Sequence, residues 1–210
     1  MKLLAEGRAS EVFDLGDGRV LRRFKAGGRP EAEALVMEHV RAHGYPVPRV
    51  LDVSRNALVL ERIDGPTMVD DLGRRPWRLR GHARALAQLH HRLHAIAPPK
   101  DGLAGTGDTI VHHDLHPVNV LLGPNGPVVI DWANARLGQA AVDVALTWLI
   151  AATHGSFRAR TFARQFAGAA GVADVRRGLP GAAAFRLADP NVLPQERRRI
   201  EGLLERGSPV

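Results

Sequence analysis

Two short apolar runs, "NVLL" at 119–122 and "VVI" at 128–130, flank the turn sequence "GPNGP". Runs of this length, bounded by Gly, Pro and Asn, read as the two strands of a hairpin, with Asn125-Gly126 as its turn. A hairpin brings the chain back on itself. Asn119 opens the first strand and Asp131 follows the second, so the two side chains converge at the open end. This convergence constrains the chain more than any other feature, because the rest of the fold must wrap around it.

The residues near that end carry chemistry. Asp114 stands five positions before Asn119, across a loop that contains Pro117. Two oxygen donors at one point suit a hard cation that keeps several waters and completes its shell from phosphates, as Mg²⁺ does. A carboxylate a few ångströms away is placed to take a proton from a hydroxyl. Phosphoryl transfer needs these parts: charge neutralisation for a nucleotide and a group that positions the nucleophile. The three histidines of "IVHHDLHPVNVLL" offer a zinc site instead, and His90 and His94 add an i, i+4 pair. The acidic residue of the H-E-x-x-H pattern is missing, so the histidines read as structural. His112 is expected to hydrogen-bond backbone near Asp131.

Upstream, "EVFDLGDGRVLRRF" reads as a hairpin around "GDG", and "PEAEALVMEHVRAHG" as a helix with Pro30 in its first turn and Ala32, Leu35, Val36 and Val40 on its apolar face. "RVLDV" and "ALVLERI" are two further strands. "IDGPTM" then punctuates the chain. Leu79, Ala83, Leu86, Leu89, Leu93 and Ile96 mark a helix with one apolar stripe. From about Ala141 the chain reads as helical to its end, with breaks near Gly155, Gly171 and Pro180. The expected class is α+β in two lobes. Residues 1–64 form a small antiparallel-sheet lobe with one helix, and 65–210 a mainly helical lobe holding the hairpin. A cleft between them is the natural ligand site.

Composition narrows the classes. Among 210 residues there is no cysteine, which excludes disulfides and thiolate metal sites. "MKLLAEGRAS" lacks the apolar core of a signal peptide, and the longest apolar run, "VDVALTWLIAA", carries Asp143 and is too short to span a bilayer. A cytoplasmic protein without a membrane partner is expected. The net charge of +7 raises nucleic acid as a partner, but the arginines are dispersed, apart from "RRRI" at 197–200, and no stacking aromatics accompany them. Nucleic acid is not the expected partner, and the oligomeric state is left open.

"HHDLHPVNVLL" with "VVIDW" resembles the catalytic and metal-binding segments of the aminoglycoside phosphotransferase and choline kinase-like family, a small-molecule branch of the protein-kinase-like fold. The resemblance implies Asp114 as catalytic base, Asn119 and Asp131 as Mg²⁺ ligands, and ATP or GTP as co-substrate. His116 takes the place of the kinase lysine. "EGRASEVF" corresponds to the phosphate-covering loop, with Ser10 as a phosphate donor. "VLRRF" corresponds to the strand that bears the phosphate-binding lysine; here the position is Arg22, with Arg23 or Lys25 as alternatives. Glu33, or else Glu31, is implied as the ion-pair partner on the first helix, and the backbone of Glu61 to Ile63 as the adenine-binding hinge. Gly138 and Asp143 resemble the family's structural segment. Trp132, Trp148 and Phe157 are expected in the core. The resemblance runs from about Glu6 to Leu149, and the residues beyond are few for the family.

Three functions compete. The first is transfer of the γ-phosphate of a nucleoside triphosphate to a hydroxyl of a small molecule. The second is a catalytically weak nucleotide-binding or regulatory member of the same fold. The third is a basic nucleic-acid-associated protein. From Val144 onward five acidic residues face ten arginines. This balance points away from a polycationic acceptor and toward a neutral or anionic one, with Asp70, Asp71, Asp101 and Asp108 as candidate acidic lining.

Overall fold

The computed structural model describes residues 1–7, 10–25 and 28–205. The N-terminal part is a five-stranded antiparallel sheet, β1 (Lys2–Glu6), β2 (Ser10–Gly16), β3 (Arg19–Phe24), β4 (Val50–Ser54) and β5 (Ala57–Glu61), in the order β1-β2-β3-β5-β4. Helix α1 (Pro30–Ala42) connects β3 to β4. The helical remainder contains α2 (Met68–Arg74), α3 (Leu79–His94), α4 (Ala140–Thr153), α5 (Phe157–Ala170), α6 (Val172–Ala188) and α7 (Pro194–Glu205). Two small antiparallel pairs interrupt it: β6 (Thr109–Val111) with β9 (Arg136–Gly138), and β7 (Val120–Gly123) with β8 (Gly126–Val129). The architecture is α+β, as the sequence led us to expect.

One buried cluster runs through both parts, from Val36, Met37, Val40 and Leu58 to Leu86, Leu89, Leu146, Leu149 and Phe166. Trp132 fills its centre, with Tyr45 edge-on at 5.6 Å and its indole N–H donating to the Val129 carbonyl at 3.1 Å. No helix of the described residues is long and apolar enough to cross a membrane.

Several local expectations fail for identifiable reasons. β1 is absent from the sequence reading; all five of its residues are exposed, so it has no alternation to reveal it and is held by its ladder to β2. α1 buries Glu33, Ala34, Val36, Met37 and Val40, whereas Ala32 is exposed and Leu35 only half-buried. The buried face is displaced because it includes a carboxylate, which apolar periodicity does not count. α2 is also absent from that reading; its seven residues start at a Thr67–Asp70 capping box. The β7–β8 register pairs Gly123 with Gly126, so the turn is Pro124-Asn125 rather than Asn125-Gly126. Pro180 does not break α6. Gly178, Ala182 and Ala183 are buried, and close packing on α4 carries the helix through the missing N–H. Phe157 is 75% exposed at the first position of α5 rather than in the core. Residues 206–210, included in the expected helical end, lie outside the described residues.

Candidate active site

The β7–β8 hairpin brings its two ends together as its length requires: Ile130 N–H donates to the Asn119 carbonyl at 3.0 Å. The Asn119 side chain does not point to Asp131 through its amide nitrogen. Its Nδ2 donates to the Asp114 carbonyl at 2.9 Å and to Asp114 Oδ2 at 3.0 Å. The amide oxygen is therefore turned away from Asp114. The other Asp114 oxygen, Oδ1, lies 3.2 Å from His116 Nε2. His116 Nδ1 accepts from Val118 N–H at 3.3 Å, so the imidazole proton sits on Nε2 and faces the carboxylate. Burial pushes the Asp114 carboxyl up, but the hydrogen bonds and charge of His116, with His112 and Asn119, outweigh it and hold the group below the usual carboxylate range.

A buried clamp holds this loop from beneath. Asp143, 1% exposed on α4, accepts the His112 and His113 backbone N–H groups at 3.2 and 2.7 Å and His94 Nε2 at 2.9 Å. His90 Nδ1 lies 3.3 Å from the same carboxylate oxygen that His94 meets. Burial alone would raise the Asp143 carboxyl; the bonds from His90 and His94 keep it well below the ordinary value. His112 Nε2 donates to the Ile130 carbonyl at 3.2 Å, while its Nδ1 accepts from Asp114 N–H at 3.2 Å. His112 thus ties the loop to the residue before Asp131, in the structural place expected for it. His90, His94 and Asp143 form the one metal-capable cluster of this kind among the described residues, and they make up this clamp.

Arg22 organises the opposite wall. Its Nε donates to Ser10 Oγ at 3.1 Å, one terminal nitrogen to Glu33 Oε1 at 2.5 Å, and the other to Asp131 Oδ1 at 2.5 Å. The alternatives fall elsewhere. Arg23 pairs with Glu11 at 2.7 Å and Lys25 with Glu6 at 2.9 Å; Glu31 is exposed. Strand alternation separates Arg22 from Arg23 and Lys25. Burial pushes the Glu33 carboxyl up, to about 7, against the pull of Arg22, and the nearby Asp131 charge pushes the same way. Asp131 (φ +65°) and His113 (φ +59°) both hold left-handed backbone, a cost of about 1–3 kcal/mol each that the surrounding bonds must offset.

Two cavities meet here. One, of about 650 Å³, lies under the sheet and is lined by Ser10, Arg22, Glu61, Ile63, Asn119 and Asp131, with apolar walls such as Val12, Leu60 and Leu121. Glu33 lines neither cavity and stands behind Arg22. The second, of about 590 Å³, is lined by Asp114, His113, His116, Asn134 and, from the end of α6 and the segment after it, Phe185, Arg186, Asp189 and Asn191. Ser10, Arg22 and Asp131 line both. Arg8 and Ala9, part of the expected phosphate-covering segment, lie outside the described residues. Asp70, Asp71, Asp101 and Asp108 line neither cavity. Asp70 caps α2, and Asp71 is buried against Arg75 and His82. Sequence reasoning missed the contributions of β1 and of residues 185–191, which no local motif marks.

The chain matches two family models, the phosphotransferase enzyme family over residues 107–185 and the RIO domain over residues 28–137. A probable serine/threonine-protein kinase BUD32 homolog from Archaeoglobus fulgidus is 31% identical over 107 residues, which is 51% of this chain. The match takes in 46% of that relative, so the chain spans about half of its length. Among solved structures, a thermostable mutant of aminoglycoside phosphotransferase APH(4)-Ia, apo form, has a TM-score of 0.72 at 18% identity, covering 98% of this chain and 94% of that one. A further variant of the same phosphotransferase, in ternary complex with AMP-PNP and hygromycin B, also has a TM-score of 0.72, at 17% identity, covering 97% and 92%. A choline/ethanolamine kinase family protein from Mesorhizobium loti has a TM-score of 0.63 at 18% identity, covering 99% and 87%. These structural likenesses show a shared kinase-like fold.

Proposed function

The chain belongs to the RIO-domain family, whose model matches residues 28–137, and from its kinase-like phosphotransferase fold we propose that it moves the γ-phosphate of ATP or GTP to a hydroxyl of a small molecule. One observation carries this reading. Asp114, with both carboxylate oxygens held, opens on the second cavity, while Asn119 and Asp131 line the first, and the two cavities share Ser10, Arg22 and Asp131 as a common wall. A phosphoryl group held at that wall can be passed from one cavity to the other.

In this mechanism the hinge backbone at Glu61 and Ile63 lines the base end of the nucleotide cavity. Arg22 and the Ser10 hydroxyl face the phosphates. The donor set suits Mg²⁺: one Asp131 oxygen is taken by Arg22, and the Asn119 amide oxygen is turned away from Asp114. When bound, the cation would neutralise phosphate charge. The acceptor hydroxyl loses its proton to Asp114 as its oxygen bonds to the γ-phosphorus. The bond from that phosphorus to the bridging oxygen breaks, and the nucleoside diphosphate leaves. Asp114 is a weak base because its pKa is depressed. Its work is orientation and late proton acceptance, as suits a loose transition state.

A second reading is favoured by the BUD32 homolog and RIO-domain matches: the acceptor is a serine or threonine of a protein. Concavity favours the small molecule, since Asp114 opens on a cavity of ordinary ligand size. The test is Mg²⁺-dependent nucleotide binding by calorimetry, followed by turnover against a panel of small hydroxyl compounds and a protein substrate. Asp114→Asn is expected to lower kcat by ~10²–10⁴-fold with nucleotide affinity unchanged. Turnover indifferent to this change removes the catalytic reading and leaves the nucleotide-binding one.

A further inference from the structure

The Asp114 cavity does not end at the catalytic loop. His116 and Ile150 line it and also line a neighbouring groove of about 480 Å³. That groove is different in kind. It is lined mainly by apolar side chains, among them Val69, Leu72, Val118 and Phe162, with His154, Ser156 and Arg158 among its polar members. Val69 and Val118 are 43% and 48% exposed, so apolar surface stands open beside the reacting carboxylate. Contiguous exposed apolar surface rimmed by polar residues is one mark of a ligand groove.

The charges of the Asp114 cavity define the other half of the ligand. Its two described arginines are already engaged: Arg22 with Glu33 and Asp131, and Arg186 with Glu196 at 2.7 Å and Asp189 at 3.5 Å. The Asp114 carboxylate is met by His116 and Asn119. Among the described residues that line this cavity, no arginine or lysine is left over for an anionic head group. Of the neutral and anionic acceptors that the sequence left open, this pairing favours the neutral one. What the wall offers is hydrogen bonding, from Asn134 and Asn191.

We propose that the acceptor is an uncharged, hydroxyl-bearing amphiphile: its polar head lies beside Asp114 and its hydrocarbon part lies in the groove beyond His116 and Ile150. The inference rests on the phosphotransferase reading and specifies its substrate class. Head and tail are recognised by different walls, so affinity grows with the hydrocarbon length while the reacting hydroxyl stays in place.

The test uses the full chain and alkyl β-glucosides from methyl to octyl, below their micelle thresholds, with Kd from calorimetry and phosphate transfer from nucleoside diphosphate release. Kd is expected to fall by up to about fourfold per methylene, the factor equivalent to ~0.8 kcal/mol of apolar transfer. Ala159→Trp fills the groove from its α5 wall and flattens that dependence, with nucleotide binding and the thermal midpoint unchanged. Val69→Asn, at an exposed position, weakens it without risk to the core. Equal affinity for methyl and octyl glucoside, or a chain-length dependence untouched by both variants, overturns the proposal. Transfer to methyl glucoside without a chain-length effect overturns it and upholds the phosphotransferase. Chain-length-dependent binding without transfer to any of the series upholds the amphiphile site and removes the phosphotransferase. A leucine-rich peptide that binds where no alkyl glucoside does overturns the proposal in favour of a polypeptide.

Discussion

Asn119 gives both hydrogens of its amide to Asp114, one to the carbonyl at 2.9 Å and one to the carboxylate at 3.0 Å. The bond fixes the carboxylate and also decides which atom of Asn119 remains for a cation. Asn119→Asp keeps an oxygen ligand but sets a second carboxylate against Asp114. We expect turnover to fall at least ~10²-fold while the cation still supports nucleotide binding. Asn119→Ala is expected to lose both. Steady-state kinetics and nucleotide titrations with and without Mg²⁺ separate the two outcomes.

Arg22 is the sole hydrogen-bonded cation of Glu33 among the described residues. Both side chains are almost wholly buried, at 8% and 2% exposure, and Glu33 Oε2 has no hydrogen-bond partner among the described residues. Arg22→Met leaves that carboxyl unpaired and should cost about 3 kcal/mol at pH 7.5, the scale of breaking a buried pair from one side. The loss should shrink at pH 5, where Glu33 takes up a proton. Adding Glu33→Gln should recover part of it. Urea unfolding at the two pH values measures each quantity. Arg22→Lys keeps the charge but cannot reach Ser10, Glu33 and Asp131 together.

The close approach of α6 to α4 hinges on a glycine. A Cβ at Gly178 would lie 1.9 Å from the Ala141 carbonyl oxygen and 2.7 Å from the Val142 nitrogen. Gly178→Ala must separate the helices, and a loss of about 1–3 kcal/mol is expected in denaturant unfolding. Phe185, which lines the Asp114 cavity, rides on the same helix, so the binding of any ligand there should weaken with it.

Acid should destabilise the fold early. Burial lowers the pKa of His90, His112 and His113 from the ordinary 6.5. The unfolded chain therefore takes up protons below about 6.5 that the folded chain does not. Their contribution is full above that pH and is lost as pH falls from it toward the folded values. Glu33 acts in the opposite sense: with a folded pKa of about 7 against 4.5, its contribution is present below 4.5 and is lost as pH rises through 7. The thermal midpoint should be lower at pH 5 than at pH 7.5, and Glu33→Gln should steepen that fall. A midpoint flat across this range in both proteins contradicts the assignment.

The hairpin, its two terminal oxygens and Asp114 were legible in the sequence because they depend on local spacing. Twelve residues and one turn bring Asn119 and Asp131 together whatever surrounds them. The order of strands and helices was legible for the same reason, since periodicities of two and 3.6 are written along the chain. β1 and α2 were not legible, because one has no buried face and the other is held chiefly by its cap. Sequence also left Arg22, Arg23 and Lys25 open, since all three carry the charge that phosphate requires.

Tertiary structure alone chose among them. Arg22 is on the face of β3 that Glu33 and Asp131 meet, from positions 11 and 109 residues away, whereas Arg23 on the other face pairs with Glu11. Phe185, Arg186 and Asp189 enter the cavity of Asp114 by the same route, carried back by α6 packed on α4. Spacing along a chain determines which groups can meet within one turn or hairpin. Groups a hundred residues apart meet only where buried surfaces pack, and that depends on every element between them.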